Sequence, residues 1–402
     1  MKLIERKHYL DELRQVRGIP DIKVITGLRR SGKSKLMDCF AEEVAKENNT
    51  NINIIRINMN LKKFDALKNP ERLYEYIHDH YEVGNENLLF IDEIQMCIGF
   101  ETVINSLHDE ECFDIYITGS NAFLMSSDLA TLFRGRVYEI SVFPFSFSEY
   151  ITYFEPNDID RAFDDYVVAG GLAGSYLYRM EEQAKAYVKS VFRTTVVRDI
   201  VEKYHIENEE LLIMLSDFLM DNIGNKTSIR NISNCLPGKT NDKTVGSYVT
   251  YLTRAFMFYP FQRYDIKGKK YFETDKKYYL ADVSLRFAEL GSKTPDWGRL
   301  YENIVAIELL RRGYEVYVGV LYNKEVDFVA IKNGQRIYIQ VSDDIQRPET
   351  LSREITPLLS IKDAYPKMII ARTKHEETQT EGVKIIDIAR WLADGEDTLI
   401  RR

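Results

Sequence analysis

The stretch "VITGLRRSGKSKLMD", Val24 to Asp38, ends an apolar run and opens an amphipathic one, with two glycines, two arginines and a lysine in the loop between them. Gly27 to Ser34 keep the spacing GxxxxGK[ST] after a strand-like "KVIT" and before a helical pattern, the setting in which that spacing forms a phosphate-binding loop. The glycines let successive backbone N–H groups wrap a phosphate chain, and the helix N-terminus adds a favourable dipole. Gly27, Leu28, Arg29, Arg30, Ser31, Gly32, Lys33, Ser34 and Lys35 are therefore the candidate ATP contacts. Lys33 is expected at the β- and γ-phosphates and Ser34 on Mg²⁺, whereas Arg29 and Arg30 read as contacts behind the loop or to a partner.

Outward from the loop, "NLLFIDEI" is an apolar strand ending in Asp92-Glu93. Asp92 is expected in the Mg²⁺ shell, and Glu93 as the base that orients and deprotonates an attacking water. A third strand, "DIYITGS", ends at Ser120-Asn121, where Asn121 either touches the γ-phosphate or water, or belongs to a Ser/Asn turn. "LFRGRVYEI" then sets Arg134 and Arg136 before another strand. They read either as an arginine finger reaching a neighbouring subunit's nucleotide, which needs a homo-oligomer, or as a surface pair.

At 402 residues and 47.0 kDa the chain has room for two or three domains with their own cores. "MKLIERKHYLDEL" lacks the apolar run of a signal peptide, and no stretch approaches the roughly 20 apolar residues that span a bilayer, so no membrane and a cytoplasmic location are expected. Cys39, Cys97, Cys112 and Cys235 are too scattered for a zinc or redox motif. Apolar runs "IKVIT", "INIIRINM", "NLLFIDEI" and "FDIYITGS" alternate with helical patterns, which predicts a parallel sheet covered on both faces over residues 1–145. From "FSFSEYITYF" to "VRDIVEKYHI" the pattern is helical, interrupted by Gly170-Gly171, and reads as a lid over 146–206.

Over 207–290 three helical stretches precede two strands flanking Lys267-Gly268-Lys269, the order of a winged helix-turn-helix. Between Asn225 and Lys277 eleven basic residues, Lys277 among them, face four acidic ones, in a chain of net charge −8. That local excess suits double-stranded DNA, with Lys243, Ser247, Thr250 and Arg254 on the recognition helix, the "KGKK" tip as wing, and contacts mainly to phosphates; protein docking is the alternative use. Over 291–402 a helix, "LYENIVAIELLRRG", leads into the strands "YEVYVGV", "EVDFVAI", "RIYIQVS", "KMIIART" and "VKIIDI", a separate α/β unit.

Across almost its full length the chain resembles the AAA-related P-loop ATPases of archaea and bacteria that join an archaeal-type ATPase domain to a C-terminal domain of uncharacterised role. The resemblance rests on "VITGLRRSGKS", "LLFIDEIQ", "YITGSNAFLMSSDLATLFRGR", "VFPFSFSEY", "VVRDIVEKY" and "LYENIVAIELLRRGYEVYVG". It implies an α/β chain: a P-loop parallel-sheet ATPase domain with helical lid, a winged-helix module, and a restriction-endonuclease-like C-terminal fold. In that last fold Asp327, with Glu302 or Glu308, would hold metal, but Gln340 and Ser342 stand where Glu and Lys of the PD-(D/E)xK pattern would act. Lys324 or Arg336 could replace the lost ammonium; otherwise the domain is a nuclease-like shell. The expected function is a Mg²⁺-dependent ATP hydrolase controlling DNA binding, the alternatives being an ATP-regulated defence nuclease or a STAND-type switch without DNA contact.

Overall fold

A computed structural model describes residues 4–47, 51–119, 131–237, 240–291 and 295–395. The chain divides into two compact units, Met1–Val142 and Phe143–Arg402. The first is an α/β unit around five parallel strands: β1 (Ile22–Thr26), β2 (Ile52–Asn58), β3 (Glu86–Asp92), β4 (Phe113–Thr118) and β5 (Val137–Ser141), in the order β2-β3-β4-β1-β5. Alternation along each strand feeds two cores. Leu89 and Ile91 of β3 join Ile22, Val24, Ile115 and Ile117 on one face, while Leu88 and Phe90 join Ile25 and Tyr116 on the other. Helix α1 (Lys7–Val16) buries Tyr9, Leu10, Leu13 and Val16, and α2 (Lys33–Ala45) sends Phe40 against Phe90 and Tyr116 in the same core. The sheet expected from the apolar runs is present, and its strand order is what the sequence did not disclose.

The second unit begins with helices Phe147–Phe154, Ile159–Ala169 and Glu181–Thr194. The first has a Ser146/Glu149 capping box, which satisfies the N–H groups that a helix start leaves open. Helices Glu209–Asp221, Ile229–Cys235 and Asp242–Arg254 follow, then the hairpin β6 (Phe258–Asp265) and β7 (Lys270–Leu280). Beyond them lie β8 (Glu315–Leu321), β9 (Lys324–Lys332), β10 (Gln335–Ser342), β11 (Lys367–Ala371), β12 (Thr378–Thr380) and β13 (Val383–Asp387). All eight strands form one mixed sheet, β12-β13-β11-β10-β9-β8-β6-β7.

The hairpin expected to stand out as a wing is thus part of the C-terminal sheet, since β6 pairs in parallel with β8 through Arg263–Asp265 and Val318–Val320. On the other side of the hairpin the edge of β7 is partly covered: Thr227 exchanges two backbone hydrogen bonds of 3.0 Å with Lys276, Gly224 N donates to the Tyr278 carbonyl at 3.2 Å, and Asn303 of helix Trp297–Arg311 accepts from Leu280 N at 2.7 Å and donates to its carbonyl at 2.8 Å. Among the described residues no helix is long and apolar enough to cross a membrane.

Candidate functional site

The loop after β1 is fixed by residues that no larger side chain could replace. Gly27 has φ +132°, and a Cβ there would lie 2.0 Å from the Val142 carbonyl oxygen; Gly32, at φ +101°, caps α2. Arg6, which the sequence reading did not single out, is buried at the start of α1 and donates to the Ser31 carbonyl at 3.0 Å, bracing the loop from outside. Lys33 donates to the carbonyls of Gly27 and Leu28 at 2.8 and 3.2 Å. The buried Ser31 hydroxyl has no hydrogen-bond partner among the described residues. Lys35 points elsewhere, is largely exposed and pairs with Asp38 at 3.3 Å.

Strand order assembles the rest. In a parallel sheet ligands gather beyond the C-terminal strand ends, and β4 is inserted between the loop strand β1 and the acidic strand β3. Thr118, the last residue of β4, is therefore set between them. Asp92 accepts from Ser34 Oγ at 2.8 Å, Thr118 Oγ1 at 2.5 Å and Asn58 Nδ2 at 3.0 Å. Burial raises the Asp92 pKa, against the pull of the Thr118 and Ser34 hydroxyls. Glu93 adopts left-handed backbone (φ +58°), its N–H bonds Thr118 Oγ1 at 3.2 Å, and its carboxylate accepts from Gln95 at 2.5 Å. Thr118 and Asn58 are functional candidates the sequence reading missed; their only signal was a polar residue closing an apolar strand.

Arg134 and Arg136 are not brought to this loop. The Arg136 carbonyl accepts from Ile22 N at 3.0 Å, at the N-terminal edge of the sheet, while the loop leaves the opposite edge after Thr26. Four strand steps separate those edges, about 13 Å. Both arginines face Asp109, Arg134 at 3.6 Å and Arg136 in a closer pair that lowers the Asp109 pKa. Asn121 lies outside the described residues.

In the middle module Lys243 and Thr250 are exposed and Ser247 and Arg254 partly so, and Lys267, Lys269 and Lys270 are exposed at the hairpin turn. Lys277 corrects the basic patch. It is only 4% exposed and turns inward, its Nζ 2.9 Å from Glu302 Oε1, 2.7 Å from Glu325 Oε1 and 4.0 Å from Asp327 Oδ1.

Glu302 also accepts from Tyr279 OH at 2.5 Å, and Asp327 Oδ2 accepts from Val341 N at 2.8 Å. Gln340 accepts from Asp327 N at 3.3 Å and donates to Glu354 at 2.9 Å. The other residues weighed for this centre are engaged elsewhere: Glu308 pairs with Arg311 and Arg312, Lys324 donates to Ser360, Arg336 to Tyr264, and Ser342 to the Asp344 carbonyl. Burial, then the Glu302 charge, raises the Asp327 pKa well above its ordinary value. For Lys277 burial acts downward, but Glu302, Asp327 and Glu325 outweigh it and the pKa is raised.

Residues 20–151 match the model of an AAA domain, and residues 160–296 that of a domain of unknown function (DUF8612). An uncharacterised protein of Haemophilus influenzae is 35% identical over 398 residues, 97% of this chain and 98% of its own. An uncharacterised protein of Methanocaldococcus jannaschii is 28% identical over 346 residues, covering 81% of this chain and 76% of its own. The structure of the Aeropyrum pernix ORC1 protein in complex with DNA overlaps 77% of this chain and 94% of its own, at 13% identity and a TM-score of 0.31.

Proposed function

We propose that this chain, which belongs to one family with the Haemophilus influenzae protein it matches over 97% of its length and which carries an AAA domain, is a Mg²⁺-dependent ATPase. Its nucleotide state governs a DNA-binding winged-helix module and a nuclease-like C-terminal domain that does not cut. The observation that supports hydrolysis is Asp92, met by Ser34 and Thr118, beside Glu93 at the C-terminal strand ends.

The residues suit the nucleotide and its ion. The close-packed Gly27 and the partnerless Ser31 hydroxyl fit a loop that takes phosphate, and Ser34 with Asp92 offers hard oxygen donors with a single carboxylate. Mg²⁺ characteristically uses few carboxylates and completes its shell from phosphates and water. When bound, the ion neutralises charge on the phosphates. Lys33 would turn from the loop carbonyls to the β- and γ-phosphates, Ser34 and Asp92 would hold the ion, and Glu93 would accept the proton of the attacking water.

Arg134 and Arg136 act, if on any nucleotide, on a neighbouring subunit's, because they lie on the sheet edge away from their own loop. Mixing Arg136→Ala with Lys33→Ala protein should then restore part of the hydrolysis lost by each alone. Full-rate hydrolysis by a monomer would remove this role.

The deciding experiment is phosphate release with and without duplex DNA, followed by incubation of that DNA with Mg²⁺ or Mn²⁺. Stimulated hydrolysis without cleavage supports the reading. Hydrolysis indifferent to DNA, with no binding at low salt, would favour a switch that touches no DNA.

A further inference from the structure

We infer that the ammonium of Lys277 takes the place of a divalent cation in the C-terminal centre, as a counter-ion built into the chain. The inference rests on reading that domain as nuclease-like, and it explains how the centre stays closed to metal.

Three carboxylates from two elements converge on one side chain. Glu302 comes from the helix Trp297–Arg311, Glu325 and Asp327 from β9, and Lys277 reaches them from β7. Glu302 and Asp327 are buried whereas Glu325 is exposed, and buried carboxylates need a cation or must give up their charge. The separations are those of an ammonium, 2.7 and 2.9 Å for the two nearest oxygens, where Mg²⁺ would draw its ligands to about 2.0–2.1 Å. Among the described residues no group of three or more acidic, histidine or cysteine side chains is gathered tightly enough to hold a metal ion. The hydrogen bonds from Tyr279 to Glu302 and from Val341 to Asp327 fix these acids in position around the lysine.

The position also differs from that of a catalytic lysine. An ammonium that assists attack on phosphate must face the water or the scissile group, whereas this one is bonded to two of the acids themselves. Gln340 fits the same design. A glutamate there would add a further negative charge beside Asp327 and beside Glu354, which Arg353 already pairs, while the amide donates to Glu354 and accepts from the Asp327 N–H.

The test uses the full chain without nucleotide, with thermal unfolding and Mn²⁺ binding by electron paramagnetic resonance as readouts. Wild type should bind no Mn²⁺ at this centre, and its Tm should not respond to the ion. Lys277→Met, which keeps the stem and removes the charge, should lower Tm by about 10 °C, and Mn²⁺ should restore part of the loss while binding stoichiometrically. Lys277→Met combined with Asp327→Asn should recover Tm without metal, and this pair carries the test if the single variant does not accumulate. A Lys277→Met protein as stable as wild type, or a loss that neither Mn²⁺ nor the second substitution repairs, would overturn the counter-ion role. DNA cleavage by wild type that Asp327→Asn abolishes would instead overturn the non-cutting centre on which the inference rests.

Discussion

Asp92 at the end of β3 is surrounded by neutral donors, two hydroxyls and an amide, whereas Asp327 and Glu302 share a buried ammonium. Neutral donors can turn aside for an incoming ion at the cost of one hydrogen bond each. A lysine held by ion pairs cannot leave without stranding carboxylates in a dry interior, so the first arrangement suits a site that exchanges its cation each turnover and the second a site that never does. Two acids of the same type, both with raised pKa through burial, thus differ in what faces them, and the proposed uses follow that difference.

The largest expected effect that would sharpen this contrast is at the exchangeable site. Lys33→Ala should reduce phosphate release by about 10³-fold or more and weaken ATP binding, while leaving the thermal stability of the C-terminal domain unchanged. Loss of C-terminal stability in that variant would break the independence of the two sites. Glu93→Gln should keep nucleotide affinity within about twofold and lower turnover by about 10²–10³-fold, the range of a lost general base, checked by equilibrium binding beside steady-state rates. Normal turnover would make Glu93 a strand-end acid only.

Thr118→Ala should cost about tenfold in Mg²⁺-dependent turnover, and Thr118→Ser much less, because the serine keeps the hydroxyl that orients Asp92. Equal losses in both would mean that the methyl group, not the hydroxyl, matters. The smallest effect belongs to the other side of the contrast. Asp327→Asn should leave ATP hydrolysis within about twofold of wild type, since the Asp327 carboxylate has no place in the phosphate chemistry; a large loss would show that the C-terminal centre feeds back on turnover.

Much of the candidate nucleotide site was legible because its signals are local. Gly27, Lys33 and Ser34 sit in eight consecutive residues, and Asp92-Glu93 closes an unmistakably apolar strand. Thr118 and Asn58 were not legible, because they reach Asp92 only through a strand order in which β4 lies between β1 and β3. Lys277 was misread for a related reason. It follows a run of exposed lysines, and nothing within a few residues says that it turns to a glutamate 25 positions later. The apolar "YYLA" directly after it was the available hint that the strand was entering a core. Arg6 was hidden in the same way, its partner being the Ser31 carbonyl, a backbone atom that sequence does not distinguish from any other.

The pairing of β6 with β8 also decides where this protein can be cut. A fragment ending at residue 290 would keep the hairpin, with Gly224 and Thr227 on the outer edge of β7, but lose β8, leaving Arg263–Asp265 with open backbone groups along a bare strand, and it would also lose the Asn303 bonds to Leu280. Such a piece would present one raw edge, along β6, as a template for pairing with another copy, and is expected to aggregate on expression. Division near Val142 breaks neither of the two sheets, so Phe143–Arg402 keeps the hairpin together with the β8 partner it needs.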